Sequence, residues 1–250
     1  MNIVACMKRV PTTEAQAKID ANGTGLDAAG LQYMISFYDE IAVEEAVKTK
    51  EAKGGEVTVV SIGSADTTKE LRECLAKGGD KGVLLVDPEW SSRDARATAK
   101  ILTNKIGELG AELVFMGRVA TDRDNSAVGP MVATYLGWSC VTDVIELEIG
   151  DGSGTAKRES EQGIETIEFS LPAVITCDKG LNEPRYAGLK GIMGAKKKPL
   201  EETPVEDVAN QAVVRKLELP APRKEGKIVG EGTDAVAPLI ELLQNEAQVL

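Results

Sequence analysis

The sequence predicts an α/β protein built around a doubly wound, mostly parallel sheet, with a small antiparallel hairpin region and a C-terminal arm. Three observations support this prediction. Short apolar segments rich in β-branched residues alternate with longer helical segments through residues 1–137. The apolar segments are continuous rather than alternating, which is typical of parallel strands covered on both faces. Glycine follows each helical segment, as expected where a helix ends.

The first predicted elements are a strand, a loop and a helix. Residues 3–7 form a short apolar run, and Pro11 breaks the pattern soon afterwards. Residues 12–30 are polar and contain glycine, so we expect a loop or an irregular hairpin. Residues 39–53 place small apolar side chains on one stripe and charges on the other, which predicts a helix. Asp39 is in position to cap it.

Three further strand–helix units complete the alternating part of the chain. In parallel sheets, ligands bind at the carboxyl ends of the strands where the strand order reverses, so the segments that follow these strands are candidate binding loops. The predicted strands are 56–63, 82–86 and 113–116, and the predicted helices are 67–77, 94–109 and 125–136.

The pattern changes after residue 137. A weakly alternating segment, two hairpin strands and a buried strand are predicted at 141–149, 155–161, 164–169 and 171–177. The next residues are interrupted by glycine and proline, and the last ones are acidic with one late helix at 234–246. We therefore divide the chain into an α/β domain with the hairpin region (1–177), a loop (178–199) and an arm (200–250) that is expected to pack on a partner.

Composition excludes several classes of protein. The formal net charge is −11, which argues against a general nucleic-acid-binding surface. The sequence has no histidine, and its four cysteines are scattered, so neither a histidine-based catalytic site nor a zinc or iron–sulfur ligand set can be recognised. No segment reaches the ~18 apolar residues of a membrane span, and the N-terminus does not have the pattern of a signal peptide. The cytoplasm is the expected location.

The segment Gly117–Val128 is the best candidate for a phosphate loop. It lies between a predicted strand and a helix that is predicted to begin near Asn125, where free backbone N–H groups suit an anion. The alternative is an ordinary strand–helix loop with a capping residue. Asp122 and Asp124 could form an acid–base pair or bind a metal, although solvated or capping charges are the favoured interpretation.

A second candidate region lies between residues 178 and 199. Large apolar side chains occur there in a segment whose glycines and proline oppose regular structure, so they are either tucked beneath the loop or available to a partner. The lysine run 196–198 is interpreted as a solvated segment, with an electrostatic contact to an acidic partner as the alternative.

Taken together, these motifs resemble the beta subunit of electron-transfer flavoproteins over essentially the whole chain. The motifs include GRVATDRDNSAVGPMVATYLGW, and the most specific of them are KRESEQGIETIEFSLPAVIT and LNEPRYAGLKGIMGAKKKP. The resemblance implies a Rossmann-like nucleotide-binding domain (1–177), a partner-recognition loop (178–199) and an arm that packs on an alpha subunit (200–250). It also implies a heterodimer in which FAD sits mainly in the alpha subunit and the beta subunit holds a structural AMP.

In electron-bifurcating members of the family a second FAD takes the place of AMP. The sequence leaves both nucleotides open, and AMP is the favoured interpretation. The resemblance further implies that electrons come from acyl-CoA dehydrogenases or related flavoenzymes of fatty acid oxidation. They then pass to a quinone oxidoreductase or another acceptor. The chain would be an electron carrier without catalytic residues of its own.

The family's functional positions can be transferred to this sequence. The nucleotide-binding positions are Cys6, Ser36, Phe37, Tyr38, Asp39, Ile62, Gly117, Arg118, Val119, Ala120, Thr121, Asp122, Arg123, Asp124, Asn125, Ser126, Ala127 and Val128. The partner-docking positions are Leu189, which falls on the family's anchoring leucine, with Tyr186, Ile192 and Met193, and Glu159, which falls where a glutamate can pair with the alpha subunit's flavin domain. Residues 35–39 depart from the family's usual Asn-Pro-Phe.

Two functions of different classes use the same kind of sheet. One is a regulatory module that senses an exchangeable adenine nucleotide. The second is a small hydrolase in which Asp122 or Asp124 acts as the base. The regulatory module would leave the apolar docking loop and the arm unexplained, and turnover of ATP would be the sign of the hydrolase.

Overall fold

The computed structural model describes residues 1–16, 18–206, 208–223 and 225–250. The chain forms two compact units, Met1–Leu217 and Glu218–Leu250. The helices are α1 (Phe37–Lys53), α2 (Thr68–Lys77), α3 (Ala95–Glu108), α4 (Val128–Leu136), α5 (Leu189–Ala195) and, in the second unit, α6 (Val236–Asn245). Within the described ranges, no helix is long and apolar enough to cross a membrane.

All described strands belong to the first unit. They are β1 (Asn2–Cys6), β2 (Arg9–Pro11), β3 (Tyr33–Ile35), β4 (Glu56–Gly63), β5 (Lys81–Val86), β6 (Leu113–Gly117), β7 (Ser139–Ile149), β8 (Ser153–Ser160), β9 (Gly163–Ser170), β10 (Ala173–Cys177) and β11 (Leu200–Pro204). Strands β2 and β3 form a separate antiparallel ribbon.

The main sheet has nine strands in the order β11-β5-β4-β1-β6-β10-β7-β8-β9. Its neighbours pair in parallel except where β8 pairs with β7 and with β9. From β1 the chain first adds β4 and β5 on one side and then crosses to β6 on the other side. This doubly wound arrangement confirms the predicted fold class, and its switch point lies between β1 and β6.

The sheet is covered on both faces, as the continuous apolar strands predicted. In β1, Ile3 and Ala5 belong to the core cluster that includes residues of α1 and α2, whereas Val4 and Cys6 belong to the cluster that includes residues of α3 and α4. Successive side chains of a strand point to opposite faces, so a strand between two cores is apolar at every position.

The structure moves the start of two helices that border the switch point. Helix α1 begins at Phe37, so Asp39 lies in its first turn and is not the capping residue. Helix α4 begins at Val128 rather than near Asn125. Asp124 and Ser126 both have a φ of +49°, which the right-handed helix cannot accommodate, and therefore the helix starts only after them.

Two elements occur where the sequence predicted none. Residues 200–204, assigned from sequence to the arm, form β11 and pair in parallel with β5. Helix α5 forms within the segment that was expected to lack regular structure. Gly191 allows this close packing on α2, because a Cβ at that position would collide with the carbonyl of Ala76.

Candidate functional site

A cleft opens at the carboxyl ends of β1, β4 and β6, at the switch point. It contains about 880 Å³ of empty space, a volume that includes its open mouth. The positions predicted from sequence that line it are Cys6, Asp39, Ile62, Gly117, Arg118, Val119, Ala120, Arg123, Asn125, Ala127 and Val128. The predicted positions outside the lining are Ser36, Phe37, Tyr38, Thr121, Asp122, Asp124 and Ser126.

Sequence reasoning missed part of the wall. Lys8 follows β1 directly, and the loop between β5 and α3 follows another strand of the sheet, so the strand-end rule could have indicated both. Because α4 was predicted to begin near Asn125, Gly129 was assigned to the helix interior and not to the wall of the cleft. The lining residues missed from sequence are Met7, Lys8, Trp90, Arg93, Ala95, Thr98, Leu102, Met116 and Gly129.

Asp39 occupies the centre of the switch point. Its buried carboxylate accepts hydrogen bonds from the N–H of Lys8 at 2.8 Å and from the N–H of Gly117 at 2.9 Å. Burial raises the pKa of Asp39 to about 7, although the two backbone donors act in the opposite direction. One side chain from α1 thus joins the ends of β1 and β6.

Two glycines allow close approach of the main chain around the cleft. A Cβ at Gly117 would lie 2.5 Å from Oδ1 of Asp39 and 2.8 Å from the main chain of Tyr38. A Cβ at Gly129 would lie 2.5 Å from Cγ2 of Thr176 in β10. The loop between β6 and α4 can therefore lie directly on α1 and on β10 only because these positions lack side chains.

The end of that loop has the geometry of an anion cradle. The first N–H groups of α4, those of Val128 and Gly129, have no partner within the helix, and Pro130 has no N–H to satisfy. The φ values of +49° at Asp124 and Ser126 are sparsely populated conformations of the kind that concentrate at ligand-binding loops. A helix N-terminus reached in this way is suited to bind a phosphate.

Basic side chains surround the same cleft although the whole chain is acidic. Lys8, Arg93, Arg118 and Arg123 line it together with Asp39, and the first three are paired with Asp122, Asp87 and Asp178 respectively. Arg123 donates to the carbonyls of Arg93, at 3.3 Å, and of Ser91. A guanidinium has five N–H donors, so Arg123 retains donors for an anion. The electrostatics of the cleft are therefore compatible with a phosphate group.

Asp122 is paired with Lys8 and is not free to act as a base. Its carboxylate lies 2.7 Å from Nζ of Lys8. Burial lowers the pKa of Lys8, while Asp122 acts to raise it. Asp124 is exposed. Among the residues that the structure describes, no group of histidine, cysteine or acidic side chains is arranged to hold a metal ion.

Arg118 links the ends of β6 and β10 to the middle of β7 and to α1 at the rim of the cleft. Its Nη1 donates to Asp178 at 2.8 Å, its Nε lies 3.7 Å from Asp143, and its guanidinium carbon lies 5.5 Å from the centre of the Tyr38 ring. The hydrogen bond to Asp178 raises the pKa of Arg118, which remains a cation. Through these contacts with Arg118, Tyr38 and Asp178 lie at the rim of the cleft and do not line it.

The predicted docking segment exposes large apolar side chains. Tyr186 is 97% exposed, Leu189 76%, Met193 64% and Ile192 47%. Three of them belong to α5, so the structure groups them on one short helix and the residues before it. Glu159 is exposed elsewhere, on β8, opposite Ile164 of β9.

Hydrogen bonds to α1 anchor the predicted docking segment, residues 178–199. The Arg185 guanidinium donates to the buried Glu44, at 2.8 Å from Nε and 2.9 Å from Nη2, and to Glu51, at 2.6 Å from Nη1 and 3.0 Å from Nη2. These acidic partners raise the pKa of Arg185 further above its usual range. The side chain of Asn182 donates to the carbonyl of Ile41 at 3.0 Å and to Glu45 at 2.9 Å.

Helix α2 and the residues just after α5 exchange donors at the helix ends. Arg72 of α2 donates to the carbonyls of Ala195 and Lys198 at 2.7 Å. Lys198 in turn donates to the carbonyls of Leu75 and Gly79 at 2.8 and 2.6 Å. Cations at helix C-termini satisfy the last carbonyls and complement the helix dipole. Lys198 is thus a structural residue and not merely part of a solvated run.

The comparisons with known proteins agree on one family. A family model described as "Electron transfer flavoprotein domain" matches residues 24–208. The electron transfer flavoprotein subunit beta of Bacillus subtilis (strain 168) is 36% identical over 259 residues, covering 100% of both chains. The protein of the same name from Bradyrhizobium diazoefficiens is 38% identical over 251 residues, and a mitochondrial one from Arabidopsis thaliana is 36% identical over 258 residues, again with 100% of both chains covered.

Proposed function

The chain belongs to the electron transfer flavoprotein family, among its beta subunits, and from this premise we propose that it pairs with an alpha subunit and holds AMP in the cleft at the switch point. AMP has a structural role in this proposal. The FAD that carries the electrons sits mainly in the alpha subunit. The chain itself acts as a carrier subunit rather than as an enzyme.

The observation that carries the proposal is the cradle at the start of α4. The cleft combines free helix N–H groups at Val128 and Gly129 with donors of Arg123 and with glycine at the positions where the main chain comes closest. The geometry of the cradle suits a phosphate, and this argument is independent of the family to which the chain belongs. The residues proposed to hold the nucleotide are those of the cleft lining and residues 36–38, which directly precede Asp39 in the sequence.

Ser36 has a specific part in this arrangement. Its N–H donates to the carbonyl of Lys8 at 2.9 Å, and its buried hydroxyl lies 3.4 Å from the N–H of Thr121. Ser36 therefore joins the segment after β1 to the loop after β6 beside Asp39. We propose that these hydrogen bonds of Ser36, together with those of Asp39, maintain the shape of the cleft for the nucleotide. They would do so although residues 35–39 lack the family's usual Asn-Pro-Phe.

Docking of an electron donor is assigned to the exposed apolar side chains of residues 186–193. A few apolar residues at the centre of a contact dominate many interfaces, and here they project from a segment held by Arg185 and Asn182. A rigid anchor lowers the entropy lost on binding. We propose a dehydrogenase of the acyl-CoA type as the donor and a quinone oxidoreductase as the acceptor, with Glu159 as a contact to the alpha subunit's flavin domain.

Nucleotide content is the experiment that tests the proposal. The chain is co-expressed with its alpha subunit, the complex is purified and denatured, and FAD and AMP are quantified by chromatography. One FAD and one AMP per heterodimer is the expected result. Two FAD and no AMP would replace the proposal by a bifurcating flavoprotein, with a flavin in the Gly117–Val128 site.

A regulatory module and a hydrolase would each leave a distinct signature in the same preparation. A regulatory module would lose its nucleotide during purification and bind it again at millimolar concentration. A hydrolase would turn over ATP, and the Lys8–Asp122 pair argues against it. The cytoplasm remains the expected location, and the relatives include both bacterial and mitochondrial proteins.

A further inference from the structure

The loop between β5 and α3 places a tryptophan in the wall of the cleft. Trp90 is one of two tryptophans in the chain, and it is the aromatic side chain of the lining. Its ring meets that of Tyr33 edge to face, with the ring centres 6.1 Å apart and the planes at 65°. This is one of the preferred geometries of aromatic pairs, so Tyr33 restrains the orientation of Trp90.

Tyr33 is held in turn by a buried charge pair. The guanidinium carbon of Arg9 lies 3.9 Å from the centre of the Tyr33 ring. Nε of the same arginine lies 3.2 Å from the carboxylate of Glu70, whose side chain is 3% exposed. Arg9 and Tyr33 belong to β2 and β3, which form a two-stranded ribbon. Glu70 of α2 thus holds Arg9, and Arg9 packs on the ring of Tyr33, which contacts Trp90.

The backbone around Trp90 is fixed on its other side as well. Its N–H donates to the carbonyl of Asp87 at 3.2 Å, and Nε of Arg93 lies 2.7 Å from the fully buried carboxylate of Asp87. Arg123, from the opposite loop of the cleft, donates to the carbonyls of Ser91 and Arg93. Trp90 is thus a rigid side chain, which is what a stacking surface requires.

We propose that Trp90 is the contact surface for the planar base of the bound nucleotide, with Tyr33 and Arg9 as its positioning residues. The inference rests on the proposed function and adds the part of the cleft that recognises the base. The phosphate cradle at Val128 and Gly129 is equally suited to any phosphate ester. An aromatic face adds affinity only for ligands that carry a planar ring, so Trp90 makes the cleft selective for a nucleotide over a sugar phosphate.

The test compares AMP with ribose 5-phosphate, which has the sugar and phosphate but no base. The rate at which bound AMP exchanges with isotope-labelled AMP is measured on the purified heterodimer. Trp90→Ala is expected to accelerate this exchange roughly 10- to 100-fold, whereas Trp90→Phe keeps an aromatic face and stays near the wild-type rate. Ribose 5-phosphate should bind about equally well to the nucleotide-free wild-type site and to the nucleotide-free Trp90→Ala site.

Two further variants control for indirect effects. Trp138→Phe alters the second tryptophan, which packs against the core cluster of α3 and α4 outside the cleft, and should leave AMP exchange unchanged. Tyr33→Leu removes the edge-to-face contact but leaves Trp90, and should accelerate exchange by less than Trp90→Ala.

Three results would contradict the inference, and they are distinguishable. Unchanged AMP exchange in Trp90→Ala would overturn the inference and leave the proposed function intact. An equal weakening of AMP and ribose 5-phosphate binding would also overturn it, because Trp90 would then only support the loop. A wild-type heterodimer without any adenine nucleotide would overturn the proposed function, and the inference with it.

Discussion

Asp39 and Gly117 meet at the switch point of the sheet: Oδ1 of Asp39 accepts the N–H of Gly117 at 2.9 Å, and a Cβ at Gly117 would lie only 2.5 Å from that oxygen. The other oxygen of Asp39 accepts the N–H of Lys8 at 2.8 Å. A single carboxylate on α1 therefore sets the spacing between the ends of β1 and β6, where the cleft opens.

Gly117→Ala should destabilise the protein and reduce its nucleotide content. The added methyl group meets the Asp39 carboxylate and the main chain of Tyr38, and such overpacking typically costs about 1–3 kcal/mol. Urea unfolding and nucleotide quantification measure the two effects. Gly107→Ala is the matched control, because it lies in α3 with no atom near the added Cβ and should be neutral or stabilising by up to about 1 kcal/mol. Equal behaviour of the two variants would contradict the prediction.

Asp39 should make stability depend on pH. Its pKa is about 7 in the folded protein, against the ordinary value of 3.8, so the folded state binds a proton more tightly than the unfolded state does. The stability that this carboxyl contributes is therefore fully present below about pH 4 and is lost as the pH rises towards 7, with a slope of at most about 1.4 kcal/mol per pH unit.

Asp39→Asn isolates this dependence. The difference in unfolding free energy between wild type and Asp39→Asn is measured by urea titration at pH 5, 6 and 7, so that the other titrating groups largely cancel. Wild type should lose stability relative to the variant across this range. The variant should also be destabilised at every pH, because an amide cannot accept from both Lys8 and Gly117 and leaves one donor unpaired. A pH-independent difference would show that Asp39 is ionised throughout.

The double-sided core was predictable from the strands alone. An uninterrupted apolar run such as 3–6 has only one stable environment, a sheet covered on both faces, and local composition indicates it directly. The edge strand β11 carries no such signal. Its residues LEETP are half exposed or exposed at every position, so no apolar period marks them, and only pairing with β5 makes them a strand.

The site residues that follow a recognisable strand or lie in a family motif could be predicted from the sequence. Gly117 and Arg123 follow a recognisable buried strand. The start of α4 was misplaced because two non-glycine residues, Asp124 and Ser126, adopt positive φ, which composition does not indicate. Trp90 was missed for a different reason: the strand-end rule could have indicated its loop, which follows β5, but the sequence alone does not show that the end of β5 borders the same cleft as the ends of β1 and β6.

Leu189→Ala should slow reduction of the heterodimer by its dehydrogenase without changing its flavin or AMP content. Leu189 is 76% exposed on the anchored segment, so its truncation removes contact area from the proposed interface and almost none from the core. The rate is measured over a range of dehydrogenase concentrations. Leu26→Ala is the control, since Leu26 is also exposed but lies in the loop between β2 and β3. Equal rates for wild type and Leu189→Ala at all concentrations would exclude this docking role.

Arg185→Ala should have the same kinetic effect by a different route. It leaves the apolar side chains in place but removes the guanidinium's hydrogen bonds to Glu44 and Glu51, so that the buried Glu44 keeps the main-chain N–H of residue 185 and loses its cation. Amide hydrogen exchange in residues 186–195 should accelerate in Arg185→Ala and remain at the wild-type rate in Leu189→Ala. Identical exchange in both variants would mean that the anchor does not order the segment.

Asp94 joins α3, whose first turns line the cleft, to the segment that follows β11. As N-cap of α3 it accepts the N–H of Ala97 at 2.7 Å, and its Oδ2 accepts the N–H groups of Gln211 and Ala212 at 2.5 and 2.8 Å. Burial alone would raise the pKa of Asp94, but these three donors together lower it. Its contribution to stability is therefore present at neutral pH and is lost as the pH falls below about 4.

Asp94→Ala and Asp94→Ser should separate the two roles of this side chain. Alanine removes the cap and both bonds to residues 211 and 212, with an expected cost of about 1–2 kcal/mol at pH 7 from the cap alone. Serine can still cap α3, but its side chain is one atom too short to reach both helix and segment, so it should retain most of the stability while proteolysis within residues 208–217 becomes faster. Protection of the segment in Asp94→Ser would show that Asn210, which accepts the N–H of Asp94 and donates to the carbonyl of Ser92, holds the segment without the carboxylate.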